Sequence, residues 1–130
     1  MNRGTIIYHN DLVYKDGEHG KKLLIILNNS SGTQPYIWCK TTSKSKYGLS
    51  TPGCYSKKNV FILNPVDNCF PKKTWVQFHE INEFTNTELL SLKFKGKVKI
   101  ISNLPDKIIK AIVECIKNSP DISKYHISLL

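Results

Sequence analysis

Three short stretches combine the residue types that handle phosphates. Glu18-His19-Gly20-Lys21-Lys22 places two ammonium groups beside a glycine, just ahead of an apolar run. A flexible glycine at a strand edge lets paired lysines approach a phosphate, although a solvated loop with a glycine turn has the same composition. Cys39-Lys40-Thr41-Thr42-Ser43-Lys44 sets three hydroxyls between lysines. Hydroxyl donors with ammonium groups suit a phosphate oxygen, but such triplets are also common where strands end. Gln77-Phe78-His79-Glu80-Ile81 brings a histidine and a carboxylate to a strand's exit, a pairing open to proton transfer or to a structural role.

The charge balance points the same way. Nineteen Lys and Arg against ten Asp and Glu give a net charge of +9, and Arg3 is the single arginine. Between Lys40 and Lys73 seven lysines stand against one acid, Asp67. Such a field attracts polyanions, of which nucleic acid is the commonest in a cytoplasm. Solubility alone is the competing explanation for the lysine excess.

Length and composition narrow the setting. A chain of 130 residues, 40% hydrophobic and 22% charged, fits one domain spanning 1–130 and an ordinary globular core. Its longest apolar run, Leu23 to Leu27, is far short of the ~20 residues a membrane helix needs. The first residues lack an apolar stretch of signal-peptide length, so the expectation is a soluble cytoplasmic protein without a membrane partner. Cys39, Cys54, Cys69 and Cys115 form no CxxC or CxxH pair, so no metal and no cofactor is expected. Cys39 and Cys115 read as small core residues; Cys54 and Cys69, in loop-like sequence, read as free thiols.

These stretches need elements to position them. Gly4–His9, Lys22–Leu27, Pro35–Thr41, Asn59–Leu63 and Thr74–His79 read as strands. Asn10–Gly20 reads as a polar connection carrying the turn signals Asp16-Gly17 and His19-Gly20, and Thr42–Lys58 as a long basic loop or ragged hairpin. Asn86 caps a short helical turn over Thr87–Leu90, and the alternation of Leu92–Ile100 predicts a half-buried strand. Pro105 opens a helix, with Ser102 or Asn103 as its cap, whose apolar face is Ile108, Ile109, Ile112, Val113 and Ile116. Ser119-Pro120 stops it, leaving a tail or a short final helix. The expected fold is mainly β: a small barrel or curved sheet of five to six short antiparallel strands with a C-terminal helix.

Taken in order, these motifs resemble the MazF/PemK-like (Kid-like) toxin family of type II toxin–antitoxin systems. Gly4-Thr5-Ile6 is similar to the family's opening strand, Glu18-His19-Gly20-Lys21-Lys22-Leu23-Leu24-Ile25 to its loop-to-strand motif, and Thr41-Thr42-Ser43 to its Thr-Ser strand end. Trp75-Val76-Gln77-Phe78-His79-Glu80-Ile81 resembles the strand that precedes its helical turn. The resemblance spans nearly the whole chain through short, degenerate motifs. It implies an SH3-like barrel, a homodimer, a cognate antitoxin partner, and metal-independent cleavage of single-stranded RNA. The chain departs from the family where Lys22 replaces an arginine and Leu23 a proline, which exchanges a planar fork for a point charge.

In that chemistry the RNA supplies its own nucleophile, the 2′-OH, and the protein manages phosphate charge and two protons. The expected catalytic residues are Lys22, Thr42, Ser43 and Glu18, with His19 or His79 as further candidates for acid or base. Lys21, His19, Lys40, Lys44, Lys46, Tyr47 and His79 are expected to bind the RNA. Tyr36, Trp38, Tyr47 and Tyr55 are candidates for base stacking, Trp38 being the better core residue. A non-catalytic nucleic-acid-binding or regulatory module of a mobile element fits the same residues, and the missing arginine favours it. A protein-interaction domain is the third reading.

Overall fold

The computed structural model describes residues 1–14 and 16–130. Alternation of branched apolar residues builds strands β1 (Thr5–Val13), β2 (His19–Ile26) and β3 (Tyr36–Thr42). β4 (Gly53–Tyr55) leads through a single 3-10 turn into β5 (Val60–Leu63), followed by β6 (Thr74–Phe84), α1 (Asn86–Phe94), β7 (Val98–Asn103), α2 (Asp106–Lys117) and α3 (Lys124–Leu129). All seven strands join one antiparallel sheet in the order β4-β5-β6-β3-β2-β1-β7, and it is not closed into a barrel. The mainly β class stands, with more strands than the five or six expected.

Residues on β2 and β3 alternate between two apolar layers. Ile25, Leu27, Ile37 and Cys39 pack with Val76 and Phe78 beneath Ile109, Ile112, Val113 and Ile116 of α2. The opposite face holds Leu24, Ile26 and Trp38 with Ile7, Phe84, Leu89 and Val98. A third, smaller cluster gathers Val60, Ile62 and Trp75 at the β4–β5 end. Each fully buried aliphatic side chain contributes about 1.5–3 kcal/mol of transfer energy, so the central strands are fixed from both sides.

The structure corrects several expectations. β1 continues to Val13, because Leu12 pairs with Gly20 and Val13 with His19 around the Asp16-Gly17 turn, where Gly17 has φ +86°. The polar connection is thus largely a hairpin arm. Leu92 and Phe94 lie in α1, not in a strand. Thr85, rather than Asn86, caps that helix by accepting from the Glu88 N–H, and the left-handed Gly96 (φ +71°) lets the chain turn into β7. Neither Ser102 nor Asn103 caps α2, since both belong to β7 and the Thr5 hydroxyl donates to Asn103 Oδ1. Cys54 is no free thiol but forms a disulfide with Cys115, tying β4 to α2, whereas Cys69 is a free thiol as expected, though buried. Replacing the bonded pair (Cys54→Ser with Cys115→Ser) should lower the unfolding free energy by about 2–4 kcal/mol in non-reducing urea titrations.

His9 is buried in β1, and its Nδ1 accepts from the Asp11 N–H. Desolvation holds its pKa below the ordinary 6.5 despite the opposing pull of Asp11, with Lys97 adding to the decrease. The unfolded chain therefore binds this proton more readily. Its contribution to stability is complete above about pH 6.5 and is lost as pH falls toward the lower folded value. Melting curves between pH 7.5 and 5 should show a shallower loss for His9→Gln than for the natural chain.

Candidate functional site

Where the second apolar layer ends, the same face of the sheet becomes polar. β2 and β3 pair Leu24 with Lys40, and the same register carried two residues further puts Lys22 opposite Thr42. The Thr41 hydroxyl donates to the Leu23 carbonyl at 2.7 Å and is consumed in holding these strands together. Thr42, pointing the other way, opens into a cleft of about 900 Å³. Its Oγ1 accepts from the Lys44 N–H at 3.2 Å, which leaves the hydroxyl hydrogen available to a ligand.

Six lysines line this cleft: 21, 22, 40, 44, 46 and 72. Thr42, Ser43, Tyr47, Gln77 and His79 share its wall, and no acidic side chain does so among the described residues. None of the six lysines is held in an ion pair among those residues. Lys22 is half-buried, and its ammonium pKa is lowered first by desolvation and then by Lys40, Lys46 and Lys44. The cleft therefore carries a positive field that the described residues do not neutralise.

Backbone irregularities shape its walls. Tyr47 (φ 59°) and Gly48 (φ 65°) occupy consecutive left-handed positions in a tight turn bridged from Lys46 to Leu49. That turn is pinned to β6 by Trp75 Nε1 donating to the Leu49 carbonyl, and Lys73 Nζ, just ahead of the strand, donates to the Ser50 carbonyl beside it. A left-handed tyrosine is uncommon, and here it presents an exposed ring at the cleft. Gly20 has a different role from the flexible turn expected of it. A Cβ there would lie 1.8 Å from the Tyr14 hydroxyl oxygen, so its missing side chain is the space into which Tyr14 packs. The Tyr14 ring in turn lies 5.8 Å beneath Lys40 Nζ.

A bulge on β6 positions His79. Trp38 pairs with Asn82 and Lys40 with Gln77, so two steps on β3 face five on β6, and the segment around His79–Ile81 is looped out of register. His79 Nε2 sits 3.9 Å from Glu80 Oε1.

The structure thus gathers Lys21, Lys22, Lys40, Thr42, Ser43, Lys44, Lys46, Tyr47 and His79 around one cleft. It does not bring Glu18 or His19 there. Glu18 is exposed at the hairpin tip, and His19 is bound to Asp11 at 2.7 Å on the β1 side, in a cluster completed by Lys97. Of the aromatic candidates only Tyr47 reaches the cleft. Trp38 is core, stacked on Phe84 at 4.9 Å; Tyr36 packs beside it, and Tyr55 packs on the Val60 cluster. Tyr14, Phe70, Pro71, Lys72 and Thr74 are lining residues to which the sequence reading gave no role, and Gln77 entered it only as a neighbour of His79. Lys72 was visible only as part of a basic run, and Tyr14 carried no signal.

Compared with known proteins, the chain matches no family model and no curated protein.

The cleft's crowded charge has a measurable consequence. Lys22 should titrate below the ordinary lysine value of 10.5 in side-chain NMR, and Lys40→Met should move its titration upward by removing the lysine whose charge lowers it most. An unchanged Lys22 titration in Lys40→Met would show that the two ammonium groups do not share a field.

Proposed function

We propose that this cleft binds single-stranded RNA and that the protein is a MazF/PemK-like endoribonuclease. The observation that carries the reading is the convergence of six lysines with Thr42, Ser43, an exposed tyrosine and a histidine on one surface that, among the described residues, holds no acidic side chain and no ion pair to those lysines. A nucleic-acid strand supplies the negative charge that such a surface lacks, and its bases supply partners for Tyr47. In this reading the open seven-stranded sheet is a relaxed form of the family's SH3-like barrel.

Cleavage is an internal transfer. The 2′-oxygen forms a bond to phosphorus, the bond to the 5′-oxygen breaks, and a 2′,3′-cyclic phosphate and a 5′-OH result. His79 accepts the 2′ proton and Lys22 donates one to the departing 5′-oxygen; exchange with water then resets both groups. Thr42 and Ser43 donate to a non-bridging oxygen while Lys21 and Lys40 stabilise the charge building on phosphorus. Glu18 and His19 have no part in this assignment, because they lie outside the cleft. No metal is needed for the step, as the nucleophile belongs to the substrate.

The resemblance also brings a homodimer, a cognate antitoxin and a cytoplasmic setting into the proposal. No helix among the described residues is long and apolar enough to cross a membrane. The Cys54–Cys115 disulfide weighs against a reducing compartment. A second reading, a non-catalytic nucleic-acid-binding module, is favoured by Lys22 at the family's arginine position, because a lysine cannot grip phosphate with two parallel hydrogen bonds.

Labelled single-stranded RNA incubated with EDTA tests the reading. Cleavage is expected, with Lys22→Ala and Thr42→Ala each slowing it at least about ten-fold. Lys22→Arg should not accelerate it, since a guanidinium retains its proton. Binding should weaken with salt at a log–log slope of about −0.7 per phosphate neutralised. A gel shift without cleavage would select the binding module; neither shift nor cleavage would defeat both readings.

A further inference from the structure

The disulfide between β4 and α2 joins one wall of the cleft to the core. β4 is the last strand of the sheet, three residues long, and among the described residues it pairs only with β5. It follows directly on the segment 43–52, which brings Ser43, Lys44, Lys46 and Tyr47 to the cleft. Within β4, the Tyr55 hydroxyl donates to the Thr51 carbonyl at 2.8 Å, and Tyr55 and Leu49 both pack on the cluster of Val60, Ile62 and Trp75. That cluster is separate from the layer beneath α2, where Cys115 lies buried. We propose that Cys54–Cys115 is a reversible thiol–disulfide exchange site, at which a dithiol reductant loosens this wall of the cleft and weakens its hold on RNA. The proposal rests on the RNA-binding reading above and adds its regulation.

Exposure decides which sulfur is attacked. Cys54 is exposed and Cys115 only 2% exposed, so an incoming thiolate meets Cys54 Sγ first. It bonds to that sulfur while the Cys54–Cys115 bond breaks, and the electron pair leaves on Cys115 Sγ, which takes up a proton. The reductant's second thiol then displaces Cys54 from the mixed disulfide and closes a disulfide of its own. Two electrons and two protons pass from the dithiol to the protein. The surroundings favour the leaving thiolate. Ser56 Oγ, which donates to the Cys115 carbonyl, lies 3.1 Å from Cys54 Sγ and 3.5 Å from Cys115 Sγ, and can turn to donate to a freed sulfur. Lys57 and Lys58 follow Ser56 in the same 3-10 turn and add positive charge nearby. Exposed disulfides are the labile kind that dithiols open. The cytoplasmic setting that the RNA reading brings supplies such dithiols, so a bond that opens and closes accounts for a disulfide in a reducing compartment.

Reduction of the natural protein with dithiothreitol tests the switch. Maleimide trapping reports whether the bond has opened, and amide hydrogen exchange reports the wall. Anisotropy with a 2′-O-methylated single-stranded oligonucleotide, which cannot be cleaved, reports affinity. Reduction should speed exchange across residues 43–55 at least about ten-fold while β2 and β3 keep their protection. RNA affinity should fall at least about five-fold, the lower end of typical coupling between linked sites, and oxidised glutathione should restore both. Cys54→Ser should behave as the reduced protein and ignore dithiothreitol; if it does not fold, the natural protein alone decides. A bond that dithiothreitol does not open under native conditions would overturn the proposal. So would a bond that opens without changing exchange, or with faster exchange but the same affinity for RNA. Faster exchange on reduction with no RNA binding in either state would defeat the RNA reading and leave the bond's control of the cleft wall standing.

Discussion

Strands β2 and β3 are apolar on both faces, and the demand that both be covered governs the rest of the molecule. One face is satisfied along its length by α2, whose Ile109, Ile112, Val113 and Ile116 form a continuous stripe. The other is satisfied only in part, by the layer around Trp38, Phe84 and Leu89. Beyond Leu24 and Trp38 the same row of side chains continues as Lys22, Lys40 and Thr42. Ammonium groups cannot be sealed beneath a second layer without partners, so the cover must stop there and solvent must enter. The cleft is the place where apolar packing gives out.

Local departures from regular backbone then give this opening its shape. The out-of-register segment on β6, the left-handed pair Tyr47-Gly48, and the close approach of Tyr14 to Gly20 are unrelated in sequence but converge on the rim of the same space. Each irregularity is held by ordinary interactions elsewhere: the β3–β6 ladder on either side, the Trp75 bond to the turn with the Lys73 bond beside it, and the β1–β2 hairpin. The scaffold is regular where it is buried and irregular where it is wet.

Much of this was legible in the chain itself. Runs such as Leu23–Leu27, and the helical spacing of Ile109, Ile112, Val113 and Ile116, report burial directly, because periodicity is imposed by the layers that cover them. The lysines, Thr42, Ser43 and His79 could be singled out by residue type, and the structure brings them around one cleft. What was hidden depends on pairing. Nothing in Leu12-Val13-Tyr14 announces that it will zip against His19 and Gly20, and doing so carries His19 and Glu18 away from the cleft. Nothing in His79-Glu80-Ile81 announces a bulge, since the irregularity exists only relative to β3. The Cys54–Cys115 link was hidden for the same reason, as two cysteines in unlike surroundings give no spacing to read. Leu92 and Phe94 misled because their alternation mimics a strand, while the deciding signal was the capping threonine ahead of them.

The outermost pairing of the sheet carries a consequence for how the protein is made. β1, synthesised well before β7, is completed on one side by it, with Thr5 opposite Asn103 and the Gly4 carbonyl accepting from the Leu104 N–H. Ile6 lies in the layer that α2 covers. A ribosome adding roughly 5–20 residues per second therefore releases several seconds' worth of chain whose first strand still lacks both its edge partner and its roof. Contacts that span so much sequence form late and fold slowly. During that interval the apolar β1 strand stands open to mispairing, because neither its edge partner nor its covering helix is yet in place.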